Sequence, residues 1–275
     1  MIFIESLVKK LIKLGTTVLD TDSIIKSSIT LEGESLLEKF LTLEGSYYIH
    51  AHIRNEVAWP EESKKLLNML IEKETIKVLS DKDLIEMLKE SYTMPYRTFL
   101  SNLKVCCSIF NTRYYNDYYV ELEKLDFKNL DIDEFLIKLK VIEDRILDDC
   151  KNNRVPSNLG ELKTALMSAI LYVVNNTQVN IFASDDRRAR RCMVIGYSGE
   201  YHSLKALSVL GIFYILRDYL DKEKAVAYIN KFHELSFKIC DNKNNMIKKS
   251  GEDIIDLLYA GKLVLLKDGN MKLVH

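Results

Sequence analysis

Six carboxylates occupy the places where an open parallel sheet presents side chains to a ligand. Asp20 and Asp22 follow the β-favouring run Thr17-Val18-Leu19, and Glu56 follows Ile49 to Ile53. Glu161 opens a helix at Leu159-Gly160-Glu161, and Asp185 and Asp186 follow Asn180-Ile181-Phe182-Ala183-Ser184. Ligands of such sheets bind beyond the carboxyl ends of the strands. Carboxylates gathered there repel one another unless a cation lies among them. Hard divalent cations such as Mg2+ and Mn2+ take oxygen ligands, and one or two of them can polarise a phosphodiester and generate a hydroxide nucleophile. A carboxylate at a strand-to-helix junction also serves as an N-cap. That reading stands beside the first, above all for Asp22 and Asp185.

Other residues bear on a phosphate-containing substrate. Arg187-Arg188-Ala189-Arg190-Arg191 follows the last acids directly. Guanidinium groups clamp phosphate bidentately and a helix N-terminus adds backbone donors, so Arg187 or Arg188 is expected to make one phosphate contact. On a helix the four arginines cannot share one face, and the others are expected to be solvated or paired with structural acids. Tyr114, Tyr115, Tyr118 and Tyr119 lie around Arg113 in a pattern that suits base stacking. They are also i,i+4 pairs, the spacing of helix packing, and packing is favoured. His50 and His52 alternate with Tyr48 on a strand but lack a third ligand, and read as structural or supporting. His202, His233 and His275 carry no signal. No nucleophile elbow, Walker loop or dinucleotide fingerprint is present.

The elements that would position these residues follow from periodicity. Thr16 to Leu19, Tyr47 to Ile53 and Thr75 to Leu79 read as strands, with helices around Ser35 to Leu41 and Glu61 to Lys73 between them. This β-α-β-α-β rhythm implies a parallel sheet covered by helices on both faces. From Asp81 to Asn153 the rhythm gives way to long helical patterns. Asp131 with Glu134 resembles a capping box, followed by the stripe Phe135, Leu136, Leu139, Ile142, Ile146 and Leu147. Beyond Pro156 and Gly160 the rhythm resumes, with a helix from Leu159 to Val174, a strand from Val179 to Ala183 and a helix starting at Arg187. Ser208 to Ile212 reads as a short strand or the entry to a helix, and two further helices are expected over Lys222 to Leu235 and Gly251 to Leu257.

Composition bounds the reading. The chain has 275 residues, 47% hydrophobic and 29% charged, with only 10 Gly and 3 Pro, which excludes collagen-like, low-complexity and largely disordered chains. Its 39 basic against 40 acidic residues place any contact with nucleic acid on a local patch. The five cysteines lack CxxC spacing and are expected to be reduced and mostly buried. Ile2, Ile4, Leu7, Val8, Leu11, Ile12 and Leu14 recur at helical spacing but are interrupted by Glu5, Lys9, Lys10 and Lys13. That stretch is neither a signal peptide nor the ~20 residues that span a bilayer, so a core-facing helix and a cytoplasmic location are expected.

The order of the acids carries a resemblance. Val18-Leu19-Asp20-Thr21-Asp22-Ser23-Ile24-Ile25 is similar to the opening strand of PIN-domain nucleases, with Asp22 where that pattern usually has Asn. Ile53-Arg54-Asn55-Glu56-Val57, Asn158-Leu159-Gly160-Glu161-Leu162-Lys163-Thr164-Ala165 and Ile181-Phe182-Ala183-Ser184-Asp185-Asp186-Arg187-Arg188-Ala189-Arg190 resemble the second, third and fourth motifs. Leu204 to Leu216 resembles the segment that follows. The resemblance covers roughly residues 16–80 and 157–240; the helical block has no counterpart in a minimal PIN domain.

The resemblance implies a three-layer α/β domain, with a central parallel sheet flanked by helices, formed by residues 1–80 and 154–240. Residues 81–153 would be a helical insertion and residues 241–275 a helical C-terminal extension packed on the domain. It makes Asp20, Glu56, Glu161 and Asp186 the metal-binding and catalytic acids, with Asp185 an extra or alternative ligand. Asp20 would bind Mg2+ or Mn2+ directly, while Glu56 and Glu161 would bind through water and help to deprotonate the attacking water. Ser184 would orient a carboxylate or phosphate, and Arg187 and Arg188 would hold substrate phosphate. The implied activity is metal-dependent hydrolysis of RNA, in a toxin–antitoxin or RNA-processing setting. An antitoxin or other protein partner, or a homodimer, would accompany it, and no membrane. The alternatives are a PIN-like scaffold that binds RNA or assembles proteins without cleaving, and a DNA nuclease with the same site.

Overall fold

The computed structural model describes residues 15–197, 204–232 and 236–274. The apolar pattern at residues 2–14, and His202, His233 and His275, lie outside the described residues.

The first half alternates strands and helices: β1 (Thr16–Leu19), α1 (Thr21–Ser27), a small hairpin of β2 (Thr30–Leu31) and β3 (Glu34–Ser35), α2 (Leu36–Leu41), β4 (Ser46–His50), α3 (Ala51–Glu56), α4 (Glu61–Glu72) and β5 (Ile76–Leu79). Strand β4 is shorter than its apolar run. The backbone turns helical after His50, whose Nδ1 accepts the His52 N–H at 3.1 Å and caps α3. His52 therefore sits on a helix, not on the strand with Tyr48 and His50. Four helices follow, α5 (Asp81–Ser91), α6 (Pro95–Ile109), α7 (Tyr114–Asp117) and α8 (Ile132–Asn152), with a 3-10 turn at Tyr119–Lys124. Then come α9 (Leu159–Asn175), β6 (Val179–Ala183), α10 (Arg187–Gly196), β7 (Lys205–Leu207), α11 (Val209–Leu216) and α12 (Lys222–Ile229). Asp131 caps α8 through the Asp133 N–H, while Glu134 pairs with Lys138 instead of closing a capping box.

Five strands form one parallel sheet in the order β5-β4-β1-β6-β7. Period-two alternation sends neighbouring side chains to opposite faces. Leu19, Ile49, Ile181, Ala183 and Leu207 join one core, which continues into α2, α11, α12 and the C-terminal elements. Val18, Phe182 and Ala206 join a second core, built largely from α5, α6, α8 and α9. The helices between residues 81 and 153 thus supply much of the layer covering one face of the sheet. Phe135, for example, is fully buried, with its ring 4.9 Å from that of Tyr96.

These helices are tied to the sheet by a buried charge set. Lys163 of α9 donates to Asp81 at 2.8 Å and also pairs with Glu143 of α8. The Tyr119 hydroxyl donates to Glu143 at 3.2 Å. Tyr115 and Tyr119 are buried, and Tyr114 and Tyr118 meet edge to face, so the tyrosine cluster packs. All five cysteines are unpaired and four are buried. Among the described residues, no helix is long and apolar enough to cross a membrane.

The C-terminal segment departs from the helical expectation. β8 (Phe237–Cys240), β9 (Met246–Lys249), α13 (Gly251–Tyr259), β10 (Leu263–Leu265) and β11 (Met271–Leu273) form a second sheet in the order β10-β11-β8-β9, with one helix. Phe237, Ile239 and Cys240 are buried while Lys238 is exposed, a strand pattern in a run too short to declare itself. Arg190 fastens this sheet to the first. It is 4% exposed and donates to the Asp268 carbonyl at 3.0 Å, the Ser184 carbonyl at 2.9 Å and Asn270 Oδ1 at 3.2 Å.

Gly269, at φ +78°, makes that junction: a Cβ there would lie 2.8 Å from Arg190 Cδ and 2.9 Å from the Ala206 carbonyl oxygen. Gly269→Ala is therefore expected to destabilise the protein by about 1–3 kcal/mol, read as a lower urea midpoint. An unchanged midpoint would remove the turn between β10 and β11 from the structural core.

Candidate active site

The order of the parallel sheet places β1 between β4 and β6. From β1 the chain builds outward through β4 and β5, then returns to the other side of β1 to build β6 and β7. The crevice at such a reversal, beyond the carboxyl ends of the strands, is where ligands bind in open α/β sheets. Asp20 follows β1 there, and Ser184, Asp185 and Asp186 follow β6.

Asp20 stands at the N-cap position of α1, yet its side chain makes no capping hydrogen bond. Instead it accepts the Ser184 hydroxyl at 2.7 Å, while its own N–H donates to the Ala183 carbonyl at 2.9 Å. Ser184 Oγ in turn accepts the Asp186 N–H at 3.2 Å. Ser184 is fully buried, so it orients the Asp20 carboxylate and is not a direct phosphate contact.

Glu56 ends α3 and accepts the Thr21 hydroxyl at 2.6 Å, with His52 Nε2 at 3.3 Å from its other oxygen. The first turn of α9 approaches it closely. A Cβ on Gly160 would lie only 2.5 Å from Glu56 Oε2, so glycine is what allows this approach. Glu161 is the next residue, partly buried. The remaining acids are more occupied. Asp186 accepts the Arg188 and Ala189 N–H groups at 2.6 and 3.0 Å and caps α10. Asp185 accepts the Val209 N–H at 3.1 Å on one oxygen and pairs with Lys26 at 2.5 Å through the other. Asp22 lies in the first turn of α1, with part of its surface open to solvent.

The electrostatics single out three acids. Burial, and then the charge of Glu161, push the Asp20 carboxyl up to about 8. Burial also raises Asp22, against the opposing pull of Lys26 and with Asp185, Asp186 and Glu56 adding to the rise. Glu161 is raised by burial together with Glu56, Asp186 and Asp22. Glu56 goes the other way. Burial would raise it, but the hydrogen bonds from His52 and Thr21 prevail and hold it below the ordinary carboxylate range. Mutually elevated carboxylates at a crevice are the electrostatic mark of a functional site.

All-oxygen donors of this kind suit a hard cation. Among the described residues, however, no three Asp, Glu, His or Cys side chains converge closely enough to grip one ion. An ion such as Mg2+, held by one or two carboxylates with water completing its shell, would not need such a cluster.

Arg187, Arg188 and Arg191 are exposed and line a groove of about 980 Å³ whose other wall is α6, including Val105 and Ile109. Arg190 is the structural member of the four. Lys26, Thr21 and Arg190 are further partners of the site, brought to it by the fold. His52 with Glu56, and Asp22 with Lys26, are each one helical turn apart and so visible as spacings. The class defined by fold and site is thus an α/β protein with a central five-stranded parallel sheet flanked by helices and a cluster of acids at its topological switch point. Comparison with protein-family models, curated proteins and solved structures finds no match to this chain.

The pH dependence of stability tests this electrostatic picture. With its folded value at about 8, against the ordinary 3.8, Asp20 keeps a proton in the folded state that the unfolded chain releases earlier. Its stabilising contribution is full below the ordinary carboxylate range and is lost as pH rises through about 8. Asp20→Asn, neutral throughout, should gain stability relative to the parent between pH 5 and pH 9, by on the order of a few kcal/mol in urea unfolding. A difference that does not change with pH would show that Asp20 is ionised in the folded protein across that range.

Proposed function

We propose that this protein is a metal-dependent nuclease of the PIN-like class that hydrolyses RNA. One observation carries the reading: Asp20 after β1, Glu56 of α3 and Glu161 of α9 come from distant segments, yet the charge of Glu161 raises Asp20 and that of Glu56 raises Glu161, in each case after burial. The parallel sheet flanked by helices and the order of the four acidic motifs support it.

Asp20, oriented by Ser184, and Glu161 are the residues that would hold Mg2+ or Mn2+, with Asp186 beside them. Such an ion supplies charge stabilisation at the phosphate and lowers the pKa of water. Glu161, meeting the ion through water, would accept the proton of the attacking water on a carboxylate oxygen as that water bonds to phosphorus and the bond to the leaving oxygen breaks. Glu56, held ionised by Thr21 and His52, adds negative charge to the crevice. Arg187 and Arg188 take the substrate phosphate from the exposed start of α10.

One observation favours a second reading, a PIN-like scaffold that binds RNA or protein without cleaving. Lys26 pairs with Asp185 and opposes the rise of Asp22, so the chain supplies a cation of its own to part of the cluster. Cleavage of DNA by the same site is the further alternative, because no named acid reads the sugar.

Incubation of the purified chain with RNA and DNA oligonucleotides in Mn2+ or Mg2+ separates these readings. RNA should be cut, EDTA should stop the reaction, and Asp20→Asn or Glu161→Gln should slow it roughly 100-fold or more. No metal-dependent cutting of either polymer, or cutting untouched by Asp20→Asn, would leave the scaffold reading in its place.

A further inference from the structure

Beyond the start of α10 the surface carries cations that the chemistry proposed above does not use. Helix α6 lines two cavities in succession. Arg97, Ser101 and Lys104 line one of about 400 Å³, and Val105, Ser108 and Ile109 line the groove of about 980 Å³ whose far wall is α10. Ser101, Lys104, Val105 and Ser108 are all exposed and stand three or four residues from one another in turn, so the two cavities join over one ridge. From Arg97 to Ile109 the helix rises roughly 18 Å. On the other wall of the groove, Arg191, Arg188 and Arg187 lead back to Asp186 and Asp185.

The charge along this strip is not answered from within. Arg97, Lys104, Arg187, Arg188 and Arg191 are exposed, and Glu123 is the one acid lining either cavity among the described residues. Glu123 accepts the Tyr115 hydroxyl at 2.6 Å. Two of the cations are steadied by rings: the Lys104 ammonium lies 5.1 Å from the centre of the Tyr115 ring and the Arg97 guanidinium 6.0 Å from that of Phe127. A ring orders a cation without neutralising it. In a chain of 39 basic and 40 acidic residues, five cations beside one acid make the local patch that a polyanion requires.

The geometry points to this strip as the path of single-stranded RNA, whose phosphates pass from Arg187 and Arg188 to Arg191 and on along α6 to Lys104 and Arg97. The choice of RNA rests on the nuclease reading; the strip itself does not. Between the cations, Val105 and Ile195 are 57% and 63% exposed and give apolar surface on which unpaired bases lie. The Arg97 guanidinium adds a plane of the kind on which bases stack. A duplex keeps its base faces inside and leaves that apolar surface unused. An acidic protein segment would also answer the charge, but the continuity of the strip with the phosphate contacts at Arg187 and Arg188 favours nucleic acid.

The test is binding of a fluorescent single-stranded RNA of about 12 nucleotides to the full chain in EDTA, followed by anisotropy over a range of salt. Five phosphate contacts predict a slope of log affinity against log salt of about −3.5. Arg97→Gln combined with Lys104→Gln should weaken binding roughly tenfold and make the slope shallower by about 1.4, and Arg191→Gln by about 0.7. These side chains are exposed, so the urea midpoint of each variant should stay at that of the parent. Val105→Asp, which sets a negative charge on the ridge, should also weaken binding, and an RNA duplex of the same length should bind less tightly than the single strand. No binding, an affinity and slope untouched by the Arg97 and Lys104 changes, or a duplex bound as tightly as the single strand would overturn the path. Polyglutamate that displaces the RNA at equal charge would overturn it in favour of an acidic protein segment. RNA cut in Mn2+ but bound without regard to Arg97 and Lys104 would sink the path and leave the nuclease reading intact. Binding that follows the strip without metal-dependent cutting would do the reverse.

Discussion

The pairing of β1 with β6 is the constraint on which the rest depends. It joins Thr17 to Ile181 and Leu19 to Ala183, and it brings Ser184 to Asp20 across 164 residues of chain. Without it the parallel sheet would be two fragments, β5-β4-β1 and β6-β7, each with an open edge of unpaired backbone groups. With it, the chain reverses its direction of growth at β1 and leaves a crevice at the carboxyl ends. The same pairing buries Asp20 against Ala183 and Ser184. The long-range strand contact therefore creates both the site and the desolvation that sets its electrostatics.

Two acidic groups in this molecule are treated in opposite ways. Around Lys163, Asp81 and Glu143 are buried with a cation between them, and Tyr119 supplies a further donor, so the charges are answered from within. Removing one partner from such a set leaves a buried charge uncompensated, which costs more than the set itself contributes to stability. At the switch point, Lys26 answers Asp185, while Glu161 raises Asp20, Glu56, Asp186 and Asp22 raise Glu161, and Asp20 is offered the Ser184 hydroxyl and a backbone donor. The first arrangement holds helices to a sheet. The second crowds carboxylates at the switch point, and a proton held on Asp20 takes the place of a cation there.

The helices between residues 81 and 153 connect the two groups. Their apolar faces complete the core on one side of the sheet, so they belong to the fold and are not an appendage to it. Their polar residues, Asp81 and Glu143, reach the start of α9, the helix whose first turn carries Glu161. On the opposite face, Arg190 links the C-terminal sheet to the carbonyl of Ser184, the residue that orients Asp20. Both additions to the α/β core are thus anchored within a few residues of the crevice.

Periodicity and residue type alone determined the strands β1, β5 and β6, the helical character of residues 81–153, and the acids and arginines at the strand ends, because these signals are local and repeat within one element. The end of β4 at His50 was hidden by an apolar run continuing through Ile53, and the second sheet by strands of three or four residues, too short for alternation to register. Which acid is a cap and which is free was also beyond the linear chain. Asp20 and Asp186 both precede helices, yet Asp186 caps its helix and Asp20 does not, because Ser184 holds the Asp20 carboxylate from across the sheet. The partners of Asp185, Lys163 and Arg190 come from distant segments, and only the folded chain brings those charges within reach. Local patterns place a residue on an element; its protonation and its partner depend on burial and on neighbours that tertiary structure alone supplies.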